Sequence, residues 1–318
     1  MLKALAKYVD FKGNQRIKLL YFATVLIWIV YFALTLTIPF PKNNVLNIST
    51  GTLQVIRISI ALVYLITWLA AIYAFIKINS YSNFIKNSKE AKAFNYLSYS
   101  VLILIGSLIV ATVASSINSH LSNGGTPSPA FVIFTNYCYV FPFLAAFLVL
   151  WQGSSLLVKR VKTHTPMVIV GIIGVLFIGF LYLWLNFIFT NELRNSSQIP
   201  GFPSTYYLND SLIVLSIVLP VFIAWILSLA TAVNIRNYSQ KVQGVIYRRA
   251  MSAFFWGISA VILGSVFLQG LQSLGSIRLF KFGLVKLVIL IYIFLAIQTI
   301  GYLYMALGAK RLTKIETV

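Results

Sequence analysis

Eight largely uncharged apolar stretches, at about residues 18–40, 55–78, 94–117, 131–157, 167–190, 211–235, 250–274 and 287–308, occupy most of this chain. A run of about 20 such residues reads as a membrane-spanning helix, because away from water every backbone N–H and C=O must find its partner inside the segment. The sequence therefore predicts an all-α fold, a polytopic membrane helical bundle of eight transmembrane helices. Of 318 residues, 59% are apolar and 9% charged. The longest stretch between spans, about 191–210, is too short for a soluble core of its own.

The charge of +20 acquires meaning only once it is laid on this topology. Nineteen of the 25 Lys and Arg fall on one side, with both termini and the loops around Lys89, Lys162 and Lys241. The other six are Lys42, Arg57, Arg194, Arg278, Lys281 and Lys286. Positive loops stay in the cytoplasm, so the chain reads as a multi-pass protein of a cell membrane with N- and C-termini cytoplasmic. The bases then serve topology and attract anionic lipid headgroups. No basic patch is backed by a folded module, which argues against nucleic acid as a partner. Leu2, Leu5, Tyr8 and Val9, with Lys3 and Lys7 between them, suit a short amphipathic helix on the inner headgroups.

The chain also resembles itself. At an offset of 157, Ile66, Trp68, Ile78, Tyr81 and Ser82 match Ile223, Trp225, Ile235, Tyr238 and Ser239. Lys92 matches Arg249, and after a one-residue slip Gly106-Ser107 meets Gly264-Ser265. Leu156 to Arg160 further resembles Leu307 to Arg311. These matches predict a tandem duplication of a four-helix unit. Residues 1–160 form the amphipathic segment and first unit, and 161–318 the second. Units with an even number of spans share one orientation, as in parallel-repeat transporters.

Catalytic chemistry finds little to work with. None of the five acidic residues lies deep in a span, and His120 and His164 fall on opposite faces. Cys138 is the only cysteine, which leaves no intrachain disulfide and no Cys-based metal site. Neither haem nor catalytic zinc has a ligand set here. No cofactor, metal or catalytic residue is expected, and the chain reads as no enzyme. Asp210 precedes a helix and suits its N-cap.

The remaining candidates are polar groups in the outer half of the spans: Asn136, Asn186, Gln269 and Gln272, with Arg57 and Lys286 at outer helix edges. Together they would line a vestibule for a small neutral or anionic ligand. Amides that bond helix to helix and cations that snorkel are the alternative for the same six. Three functions stay open. The first is a permease-like or ligand-binding protein, and the second a non-transporting structural or sensory subunit acting through its cytoplasmic basic loops, with a membrane or cytoplasmic protein as partner. The third is a lipid-modifying enzyme built on His120, Glu192 and Asp210.

Overall fold

A computed structural model describes residues 15–37, 50–85, 89–121, 129–158, 211–241, 244–275 and 284–315. Seven helices fill them: α1 Gln15–Thr37, α2 Thr50–Phe84, α3 Lys89–Leu121, α4 Pro129–Leu157, α5 Ser211–Lys241, α6 Val245–Gly275 and α7 Leu284–Ile315. All seven are long and apolar enough to cross a membrane, and no strand occurs among the described residues. The amphipathic segment before Gln15 and the span expected at 167–190 lie outside the described residues.

Most of these helices outrun the bilayer. The shortest of α2 to α7 has 29 residues and the longest 35, and at 1.5 Å per residue even the shortest exceeds a hydrocarbon core of about 30 Å. The excess is polar: α5 runs on through Arg236 to Lys241, and α7 through Arg311 to Lys314. Lys241 and Lys314 in those last turns, and Glu90 in the first turn of α3, complement the helix dipoles. Inside the spans, hydroxyls are satisfied by their own helix, as where Thr35 donates to the Tyr31 carbonyl at 2.7 Å and Ser107 to that of Leu104 at 2.7 Å. Pro142 and Pro220 sit within α4 and α5. Trp28 donates its indole N–H to the Ala61 carbonyl at 2.7 Å and ties α1 to α2.

Packing runs in a closed circuit. Helix α2 packs on α3 and α7, α3 on α4, α4 on α5, α5 on α6 and α6 on α7, while α1 lies outside on α2 and α3. Backbone register gives the directions. Gly153 of α4 faces Ala93 and Leu97 of α3, and Gly308, Gly301 and Gly264 set α6 against α7 in the opposite sense. Ser59 and Thr67 of α2 meet Tyr292 and Thr299 of α7, so these two run parallel. The ends of α2, α4, α5 and α7 and the starts of α3 and α6 therefore share one end of the bundle, with Lys89, Lys92, Arg236, Arg248, Arg249 and Arg311.

The same contacts occur twice. At offset 157, Ala93, Leu97, Val101 and Leu104 of α3 correspond to Ala250, Phe254, Ile258 and Val261 of α6, all buried. Ala74 and Ile78 of α2 correspond likewise to Thr231 and Ile235 of α5, each fully buried. A side chain at Gly153 would meet the Ala93 carbonyl at 2.9 Å and the Leu97 nitrogen at 3.2 Å; one at Gly308 would meet the equivalent Ala250 carbonyl at 2.9 Å and Phe254 nitrogen at 3.0 Å. That sets α4 against α7 at an offset of 155, where the sequence pairing of Leu156–Arg160 with Leu307–Arg311 implies 151. The one-residue slip in α3 also disappears. Gly106 has open space around it, whereas Gly264 is jammed against the Phe294 carbonyl, and it is Ser107, 2% exposed, that shares its buried position.

Between α3, α4, α6 and α7 the centre is packed with apolar side chains. A narrow gap survives, lined by matching pairs: Val101 with Ile258, Leu104 with Val261 and Leu150 with Met305. In a membrane such packing, rather than exclusion of water, holds helices together, which is why small residues mark the closest approaches.

Candidate functional site

Five of the six candidate residues lie on described helices, and register shows which of them meet. The antiparallel packing of α6 on α7 sets Gly257 against Gly301 and Gly264 against Gln298; continued outward, it brings positions 272 and 286 level. Ser59 opposite Tyr292 brings position 57 of α2 to the same end. Positions Arg57, Gln272 and Lys286 therefore gather at the end of the bundle away from the basic one, with Gln269 one turn deeper. Arg57 alone of these has a described side chain, and it is half-buried. Gln269 and Gln272 follow Ser265 by four and seven residues along α6.

Asn136 belongs elsewhere. It lies on α4 one turn before the buried Val140, and among the described residues the α4 backbone makes no close approach to α6 or α7. Of the five described positions, three cluster at one end of α2, α6 and α7, and position 136 lies on α4. Asn186 lies outside the described residues, as do His164, Glu192 and Asp210; α5 begins at Ser211, directly after Asp210. Among the described residues no three His, Cys, Asp or Glu come together as metal ligands.

The outer amides draw the eye in the sequence, but the polar groups the structure buries most deeply are others. Gln298 of α7, 2% exposed, donates through Nε2 to Ser265 Oγ at 2.9 Å and to the Tyr302 hydroxyl at 3.2 Å, while its Oε1 is buried without a partner. Its only sequence signal is being the sole amide in the middle of its span. Nearby, Thr67 Oγ1 lies 2.9 Å from Thr299 Oγ1, and Ser59 bonds Tyr292, fastening α2 to α7. At offset 155 Gln298 and Tyr302 correspond to Phe143 and Phe147, and at 157 Ser265 corresponds to Leu108. One of these matched sets is thus polar where the other is apolar.

At the basic end a second polar group forms between helix termini. Tyr238 donates to Glu90 Oε1 at 2.5 Å, and the hydroxyls of Tyr81 and Tyr247 lie 3.2 Å apart. Glu90 is the one acidic residue among those described. Asn234 Nδ2 donates to Ser154 Oγ at 3.2 Å and joins α5 to α4 at the same end.

Apolar helices on all sides, buried hydroxyls closed on their own backbones and bases at one end define an all-α, multi-pass membrane bundle. Comparison of the chain with protein-family models, with curated proteins and with solved structures finds no match.

Proposed function

We propose that this membrane protein is a non-transporting structural or sensory subunit that works through its basic end, and that it is not an enzyme. The observation that carries this reading is the packed apolar centre: Phe94, Leu97, Phe143, Phe147 and Phe254 are buried across it, and the gap they leave is narrow and apolar. Polar solutes need hydrogen-bonding partners along a path, which this centre does not offer. Lys92, Arg236, Arg248 and Arg249 are exposed at the basic end, while the Glu90 carboxylate is engaged by Tyr238, so the face turned outward there is cationic. Its partners on this reading are anionic headgroups and an acidic segment of a membrane or cytoplasmic protein. Cysteines placed at Leu104 and Val261 in a Cys138→Ser background should resist water-soluble thiol reagents from both sides. Rapid labelling at either would favour transport.

The proposal extends to topology. The directions of the described helices make α4 and α5 parallel, so the chain has to change sides between them, and 167–190 is the apolar stretch available to do so. Eight spans in two four-helix units, 1–160 and 161–318, with both termini cytoplasmic, follow. Reporter fusions after Lys89, Lys162 and Lys241 are expected to read cytoplasmic. An external signal at Lys162 alone would remove the crossing between α4 and α5.

One observation favours the ligand-binding reading as a second. Arg57, Gln272 and Lys286 gather at one end, and Gln269 leads from them toward the buried Gln298. Cysteine at 269 and 272 labels readily from outside if a hydrated vestibule exists there; protection at both positions leaves ordinary helix packing.

A further inference from the structure

The facing stripes of α3 and α6 stack in layers along the centre: Glu90 and Tyr247, then Phe94 and Met251, Leu97 and Phe254, Val101 and Ile258, Leu104 and Val261. Successive positions are three or four residues apart, the spacing of one helix face. Four layers are apolar and buried. The first alone is polar, and it is also the layer that reaches across to α2 and α5, through Tyr81 and Tyr238.

Those two contacts are one contact made twice. At offset 157 Tyr81 corresponds to Tyr238 and Glu90 to Tyr247. The tyrosine ending α2 thus bonds the first turn of α6, and the tyrosine ending α5 bonds the first turn of α3. Together they bridge the two hairpins twice at the same end. A hydroxyl donates once, whereas an ionised carboxylate only accepts. Tyr238 therefore donates to Glu90, while Tyr81 and Tyr247 share a bond between two hydroxyls. Within its own hairpin α2–α3 is closed separately, by Ser82 donating to the Ala91 carbonyl at 2.8 Å. The two tyrosine contacts are then fastenings between hairpins, not within them. Below it the ring of Phe94 meets those of Tyr81 at 4.7 Å and Phe254 at 5.5 Å, and the gap begins a turn further on.

We propose that these two contacts are a latch: they hold the α2–α3 and α5–α6 hairpins together at the basic end, and their parting lets the hairpins separate and opens the central gap from that end. The proposal goes beyond the function inferred above, since a sensor and a permease would each need such a closure. It identifies the moving boundary as the line between the two hairpins.

The test uses the full chain in lipid nanodiscs, with Cys138→Ser and a reporter cysteine at Leu104. Tyr238→Phe and Glu90→Gln should each speed labelling of the reporter by a membrane-impermeant maleimide about tenfold, the factor that about 1.4 kcal/mol represents. Ser82→Ala, which loosens only one hairpin, should leave the rate unchanged. Tyr81→Phe, which breaks the second contact, should speed it too. A purely structural bond predicts lower thermal midpoints with the labelling rate unmoved, and that result overturns the latch. Should Glu90→Gln fail to fold, Tyr81→Phe removes only one hydroxyl and decides the question; an unchanged rate in it and in Tyr238→Phe overturns the proposal as well.

Discussion

Gly301→Val is expected to abolish the folded bundle. A side-chain carbon at Gly301 would lie 2.7 Å from both the Gly257 carbonyl oxygen and the Val261 nitrogen, and one at Gly257 would meet the Gly301 carbonyl at 2.7 Å in return. Backbone stands on both sides, so no rotamer change relieves the clash and α6 and α7 have to move apart. Overpacking of this kind costs about 3 kcal/mol at the upper end of its usual range. Here it also removes the close approach on which helix association in lipid depends. Gly301→Ala should show the same defect in weaker form. Gly106→Ala is the control: no atom lies within 4 Å of the added carbon, and a helical glycine replaced by alanine gains about 0.5–1 kcal/mol. The midpoint of unfolding in mixed detergent micelles measures all three. Equal midpoints for Gly301→Ala and Gly106→Ala would mean that the α6–α7 seam is looser than described.

How far the sequence carries depends on which physical signal each feature leaves. Spans are legible because a bilayer demands a run of apolar residues, and seven expected spans coincide with described helices. Their ends are not, because a helix continues into the headgroup region where polar residues no longer stop it, as α5 does beyond Ile235. Trp68 and Trp225, and Tyr81 and Tyr238, are visible as matches because they interrupt aliphatic sequence. Both tryptophans also have an indole N–H buried without a partner, a likeness no composition would reveal. The pairing of α4 with α7 is misread by four residues because Leu and Lys-Arg endings recur by composition, whereas Gly153 and Gly308 set the register through backbone approach.

The site was less legible than the fold. Asn136, Gln269 and Gln272 are recognisable as polar groups in apolar spans, but their grouping depends on which helices are neighbours, and position 136 falls on α4 while the other two fall on α6. Gln298 has the same chemistry and draws no notice, because a single amide in a span does not announce that a serine waits opposite. Glu90 and Tyr247 occupy matching positions with different side chains, so a search for identity passes over the pair that joins the two hairpins.

Phe143→Gln carries the sharpest consequence of that correspondence. It gives α4 the amide that α7 has at Gln298, in a fully buried position that the offsets of 155 and 157 set opposite Leu108 rather than Ser265. The new amide would lose the packing of a phenylalanine and leave its polar atoms unpartnered, a combined cost of about 3 kcal/mol. Adding Leu108→Ser supplies the hydroxyl that Ser265 gives Gln298 at 2.9 Å. Interhelical hydrogen bonds in membranes average about 0.6 kcal/mol and reach about 1.7, so the double variant should be more stable than the two single costs sum to by an amount in that range. Leu108→Ser alone makes a cavity and satisfies its hydroxyl on its own helix, which keeps the cycle interpretable. Unfolding midpoints of the parent, both single variants and the double complete the measurement. Strict additivity would show that positions 143 and 108 do not face each other as 298 and 265 do, and the offsets of 155 and 157 would no longer describe one repeated arrangement.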